Sequence, residues 1–187
     1  MSNPPPLLPG CYYHVYNRGN NRQNLFSEAR NYAYFMKLYA YHVQPVADTF
    51  TYCLMRNHFH LLVRIQEGAQ NPGQAFSNLF NAYAKAINHA YQRTGSLFQR
   101  PFGRIEITTN AHFTQLVAYI HQNPQKHGFV EDFRQWPYSS YAALISEKPT
   151  HLQRGEILGW FKGIGPFIAF HQTQVNPGSI APLVIEE

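Results

Sequence analysis

The sequence predicts an α+β protein with a ferredoxin-like, split βαβ layout: a four-stranded, mainly antiparallel sheet, two helices on one face, and an extra helix free to cross the other. Three observations predict it. Four short stretches are rich in β-branched and aromatic residues, three longer ones repeat apolar residues every three or four positions, and they run strand, helix, strand, strand, helix, strand, helix. At 187 residues, 44% hydrophobic, 16% aromatic and 13% charged, the chain suits one globular domain with a Phe- and Tyr-rich core, or one domain with a terminal appendage.

The elements follow in order. The start "MSNPPPLLPG" (1–10) reads as a flexible segment without the basic and apolar regions of a signal peptide. No apolar run approaches the roughly 20 residues of a membrane span, so the expected setting is cytoplasmic. A strand over 11–19 stops at Gly19, and a polar turn leads to Ser27, the expected cap of a helix carrying Tyr34, Phe35, Leu38 and Tyr41 and ended by Pro45. Strands over 48–55 and 58–65 flank an Arg56-Asn57 turn. A long amphipathic helix covers 74–91 and a fourth strand 104–108.

The extra helix starts from Asn110 as N-cap, carries Phe113, Leu116, Val117 and Ile120 as its apolar stripe, and is expected to end near Pro124. The main domain is drawn at 11–145, and 146–187 is a C-terminal extension of short helices with a weakly ordered or docked tail. Cys11 and Cys53 have no CxxC spacing, which excludes a disulfide framework or thiolate zinc site and leaves both expected in buried positions.

Charge is uneven. Residues 1–127 hold 11 Lys/Arg against 4 Asp/Glu, a net of +7, whereas 128–187 hold 4 against 6, a net of −2. The basic part is where a polyanion is expected to dock. Arg18, Arg22, Arg100 and Arg104 are the candidate contacts, with Phe98 and Phe102 nearby, a pairing of cations and flat faces that would suit a single-stranded nucleic acid.

Chemistry concentrates in "MRNHFHLLVRI" (55–65). Strand side chains alternate, so His58 and His60 share one face while Phe59, Leu61 and Val63 take the other. On the extra helix, Tyr119 and Asn123 lie four residues apart and therefore on one face. Two imidazoles and an amide oxygen suit a hard divalent ion, Mg²⁺ or Mn²⁺, with phosphate oxygens and water completing the shell. The tyrosine is then the nucleophile. His121, two positions on, is expected beside the site or on the surface, and His14, His112 and His127 carry no pairing argument.

The segments "YHVYNRGNNRQNLF", "YCLMRNHFHLLV", "GSLFQRPF" and "LVAYIHQNPQKHGFV…WPYSSY", in order over residues 12–141, resemble the REP-associated tyrosine transposases, of the HUH single-tyrosine class. The resemblance implies a metal-dependent single-strand DNA nuclease and strand transferase acting on hairpin-bearing DNA. His58 and His60 match the HUH ligands, Tyr119 the catalytic tyrosine and Asn123 the additional ligand. It further implies a 5′-phosphotyrosine intermediate with a free 3′-hydroxyl, and either a monomer or a helix-exchanged homodimer. Two alternatives stay open: a domesticated DNA-binding protein or nuclease on the same fold that does not transpose, and an RNA-binding ferredoxin-like module using aromatic residues on its sheet.

Overall fold

Strands β1 (Tyr12–Arg18), β2 (Ala47–Leu54), β3 (His58–Ile65) and β4 (Gly103–Ile107) form one sheet in the order β2-β3-β1-β4, with every neighbouring pair antiparallel. This is the ferredoxin-like arrangement. The computed structural model describes residues 5–173, 175 and 177–181. Helices α1 (Ala29–His42) and α2 (Pro72–Ala90) cover one face; α3 (Asn110–Lys126), α4 (Tyr141–Ile145), α5 (Arg154–Trp160), α6 (Ile164–His171) and α7 (Pro177–Ile180) build the other side.

Alternation along the central strands sorts side chains into two cores. Tyr13, Val15, Phe59, Leu61 and Val63 point toward α1 and α2 and meet Phe35, Tyr39, Phe76 and Tyr83, all fully buried or nearly so. On the opposite face, Leu62 and Ile107 meet Phe113, Leu116, Val117 and Ile120 of α3, which are covered in turn by Ile157 of α5 and Phe167 of α6. Each buried side chain of this size contributes about 1.5–3 kcal/mol, so the helix carrying Tyr119 is part of a core and not an appendage.

Local chemistry sets the ends of the elements. α1 starts from Glu28, one residue beyond the expected Ser27, because Glu28 and Asn31 form a reciprocal capping box. α2 opens with Pro72 at its first turn, where the missing N–H costs nothing. α3 is capped by Thr109, whose hydroxyl accepts from the His112 N–H, and not by Asn110. At the end of β1 the chain turns so tightly that a Cβ on Gly19 would lie 1.9 Å from the Gln23 carbonyl oxygen.

The extra helix ends two residues beyond Pro124. It runs through this proline to Lys126, with Asn123 and Pro124 both buried. Pro124 removes one backbone donor, while the Asn123 side-chain amide donates to the Tyr119 carbonyl at 3.0 Å, giving that turn an added bond. Packing of the apolar stripe outweighs the local preference of a residue before proline.

Two further expectations change. Residues 5–10 are tied to the sheet: Leu7 is buried, Gly10 N–H donates to the Ile65 carbonyl at 2.8 Å, and the Tyr13 hydroxyl donates to Pro6 O. Residues 1–4 lie outside the described residues, as do 182–187 of the expected tail, whereas Ile180 is buried in the second core. Cys53 is buried, but Cys11 is only half-buried because it lies at the sheet margin before β1.

His121 is neither beside the site nor on the surface: it is fully buried, on the side of α3 turned toward β2 and α6. His171 Nδ1–H donates to the Phe167 carbonyl at 2.8 Å, so its Nε2 accepts the Nδ1–H of His121, also at 2.8 Å. His121 Nε2 then accepts from the Thr51 or Ser140 hydroxyl, 2.7 and 2.8 Å away. Arg64 adds a polar clamp, bridging Asp48 at 2.8 Å and Glu156 of α5 at 3.1 Å. The segment 146–173 is thus joined to the sheet through both apolar and polar contacts.

Candidate active site

The register between β1 and β3 places Arg18 opposite His58 and Tyr16 opposite His60, and α3 crosses above them. His58 and His60 share the α3 face, with ring centroids 5.3 Å apart. Tyr119 comes down onto this pair, its ring centroid 5.6 Å from that of His60. One helical turn on, Asn123 faces His58, and the next turn brings Lys126, with Nζ 5.3 Å from the Tyr119 ring centroid, and His127, 5.0 Å from the His58 ring. His58, His60, Tyr119 and Asn123 therefore converge from sequence positions 65 residues apart.

Both histidines are buried, each 8% exposed. Burial, reinforced by the neighbouring His127 and Arg18, pushes His58 down to about 3, while contact with Asn123 opposes that shift. Burial drives His60 well below the ordinary histidine range, with His14, His58, His127 and Arg18 adding to it. Both rings are accordingly neutral near pH 7, the form in which imidazole ligates a metal. His58 Nδ1–H donates to Asn57 Oδ1 at 2.8 Å, which leaves Nε2 as its lone-pair nitrogen.

The chemistry of this donor set fits a divalent cation. Among the described residues, Asn123 Oδ1 is buried with no hydrogen-bond partner, since its amide nitrogen is held by the Tyr119 carbonyl. An orphaned amide oxygen beside two neutral imidazoles is a costly arrangement unless something positive completes it. Two nitrogens and one oxygen leave room for phosphate oxygens and water. Among the described residues, no group of three or more His, Cys, Asp or Glu is placed to hold a metal ion.

Tyr119 is only 6% exposed and lines a hollow of about 730 Å³ between α3 and the C-terminal helices, together with Gln122, Lys126, Asp132 and Arg134. Gly103 makes room on the other flank. A Cβ there would lie 2.1 Å from the Tyr16 ring, which reaches across β4 within 5.0 Å of the His14 ring.

The four candidate arginines divide into two places. Arg18 is half-buried beside His58, desolvated and close enough to Arg22 for their charges to oppose one another. Arg22 is exposed in the turn after β1. Arg100 and Arg104 line a separate groove of about 980 Å³ with Asn17, Phe80, Phe98 and Phe102. Arg100 donates to Asn81 Oδ1 at 3.1 Å, while Arg104 donates to the Pro5 carbonyl and lies 4.9 Å from the Phe102 ring centroid.

Sequence reasoning missed three neighbours of the site. His127 and Lys126 follow from the continuation of α3 past Pro124, and the i, i+4, i+8 spacing from Tyr119 through Asn123 to His127 was the available signal. His14, with Nε2 2.8 Å from His60 Nδ1, has no such signal because the pairing of β1 with β3 is non-local.

A ferredoxin-like sheet with a His-hydrophobe-His strand under a tyrosine-bearing helix defines the HUH single-tyrosine class. Residues 8–123 match the family model described as "Transposase IS200 like", which is more than half of the chain and spans His58, His60, Tyr119 and Asn123. The chain belongs to the IS200-like transposase family. It is similar to a Haemophilus influenzae protein designated a REP-associated tyrosine transposase, at 28% identity over 103 residues, 50% of this chain. That alignment spans 58% of the relative's length. The fold is shared with a solved structure of a REP-associated tyrosine transposase bound to a REP hairpin, with a TM-score of 0.64 at 18% identity, covering 80% of this chain and 88% of that one.

Proposed function

We propose that this protein is a REP-associated type of tyrosine transposase: a metal-dependent endonuclease and strand transferase for hairpin-bearing single-stranded DNA. The observation that carries this reading is the convergence of Tyr119 and Asn123, one turn apart on α3, upon the neutral pair His58 and His60. His58, His60 and Asn123 would hold Mg²⁺ or Mn²⁺, which when bound would polarise the scissile phosphate and offset its developing charge.

The protein's own residues do the rest. Tyr119 attacks phosphorus through its hydroxyl oxygen, forming an O–P bond as the bond to the 3′ oxygen breaks; the phenolic proton is lost and the departing oxygen is protonated to a 3′-hydroxyl. Lys126, over the tyrosine ring, supplies positive charge where the phosphate arrives. A second 3′-hydroxyl reverses the step and joins strands, so no nucleotide cofactor is consumed. Arg18 and Arg22 guide the backbone near the ligands, and Arg100 and Arg104 hold single-stranded or hairpin DNA along the groove.

Residues 11–145 supply the catalytic centre, and the described part of the 146–187 extension braces α3 as part of the same core, which favours a monomer acting in cis over a helix-exchanged homodimer. Among the described residues no helix is long and apolar enough to cross a membrane, and we place the protein's work on DNA in the cytoplasm. An RNA-binding module of the open-sheet kind needs a free sheet face, and here that face is covered by α3 and its partners. The test is incubation of labelled hairpin-flanked single strands with Mn²⁺ and denaturing electrophoresis. A covalent adduct mapping to Tyr119 is expected; an adduct on another residue would reject Tyr119 as the nucleophile, and none with any substrate would favour a binding role.

A further inference from the structure

We propose that His14 is a positioning residue whose own tautomer fixes that of His60, keeping the outer nitrogen of His60 free of hydrogen for the cation. The inference rests on the reading of His60 as a ligand. His14 lies on β1 two residues before Tyr16, the direct strand partner of His60, and so points to the same face. It is fully buried; its ring is nearly parallel to that of His60, with centroids 5.0 Å apart and planes at 24°.

The 2.8 Å separation of His14 Nε2 and His60 Nδ1 admits one hydrogen between them. With both rings in the neutral form each carries one N–H, which leaves two arrangements. If His60 donates from Nδ1, its Nε2 keeps a lone pair and His14 carries its hydrogen on Nδ1. If His14 donates from Nε2, His60 must carry its hydrogen on Nε2 and is lost as a ligand. A single hydrogen therefore couples a residue remote from the phosphate to the ligating capacity of the site.

His58 shows why this matters for one ring and not the other. Its Nδ1–H is received by Asn57 Oδ1, an oxygen that only accepts, so its tautomer is fixed by the partner's chemistry. His60 has an ambivalent partner instead. Acting as a third ligand is closed to the Nε2 of His14, which is already committed to His60.

The test compares wild type with His14→Gln and His14→Phe, all stripped of metal and confirmed folded by thermal melting. Histidine ¹⁵N NMR of the metal-free protein, with His60 assigned by loss of its signals in His60→Gln, is expected to show the hydrogen on Nδ1. Gln presents an amide oxygen near the position of the lost Nε2 and is expected to keep Mn²⁺ affinity close to wild type in calorimetry. Phe keeps the ring but offers no acceptor, and is expected to weaken Mn²⁺ binding about 10- to 100-fold. A wild-type His60 with its hydrogen on Nε2 overturns the proposal, even if His14→Phe fails to fold. So does unchanged Mn²⁺ affinity in a folded His14→Phe, or an equal loss in His14→Gln. Absence of Mn²⁺ binding in the wild type would instead sink the metal reading, and the NMR tautomer would still decide the link between His14 and His60.

Discussion

Acid should weaken this fold through the buried pair His121 and His171, and the size of the effect follows from their hydrogen bonds. His171 is 1% exposed, and burial pushes it down to about 4 against a histidine reference of 6.5, with its bond to the Phe167 carbonyl only partly opposing that. His121 is driven well below the ordinary histidine range by burial and by His171. Every ring nitrogen is committed, so a proton added to His171 puts its Nε2–H against the Nδ1–H of His121. The folded state holds fewer protons than the unfolded chain below pH 6.5, and stability therefore rises with pH in that range. For His171 alone, full stability above about 6.5 is lost progressively toward 4, amounting to roughly 2–3 kcal/mol by pH 4.5. Urea midpoints should be measured between pH 8 and 4.5, with chelator present, for wild type and His171→Phe. The variant leaves the His121 Nδ1–H unpaired, costing about 1–3 kcal/mol at pH 8, but it lacks the titrating group. Its deficit should narrow as pH falls. A deficit constant from pH 8 to 4.5, or a wild type more stable at pH 5 than at pH 8, would refute the reasoning.

Other expectations concern the site and its support. Tyr119→Phe removes one hydroxyl and should abolish the protein-linked DNA on denaturing gels while leaving the melting temperature nearly unchanged; an adduct at wild-type yield would reject Tyr119 as nucleophile. His58→Ala with His60→Ala should lose measurable Mn²⁺ binding in calorimetry, and equal affinity in the double variant would remove the proposed metal centre. Affinity for hairpin-flanked single strands should fall steeply with salt, with the log–log slope shrinking by roughly 0.7 for each phosphate contact removed in Arg100→Ala or Arg104→Ala; an unchanged slope would take those arginines off the DNA path. Leu116→Ala, at a fully buried position, should cost about 2–5 kcal/mol and lower the melting temperature by several degrees, and a loss below 1 kcal/mol would contradict the packed second core.

How far the sequence reached can be seen element by element. The boundaries of β3 were legible to the residue because His58–Ile65 alternates cleanly and a two-residue turn precedes it. The pairing of Tyr119 with Asn123 was legible because helical periodicity is a local property. The end of α3 was not, since a proline rule describes local preference while burial of Ile120, Asn123 and Pro124 is tertiary. His14 and His121 were misjudged for a related reason. Their partners stand 46 and 50 residues away in the chain, and only strand register and helix docking bring them within hydrogen-bonding distance.

Seating α3 in the second core has a consequence for when the protein can act. The backbone carrying Tyr119 cannot loosen alone, because its inner stripe is clamped between β2, β3 and the helices that follow it. Elements of this kind open only with the whole domain, so amide hydrogens in the middle of α3 should exchange at rates set by global unfolding and not by local fraying. The proposed nucleophile is then all-or-none: a chain either presents Tyr119 over His60 or has no folded site at all, and partly opened forms with a detached Tyr119 are disfavoured by the architecture itself.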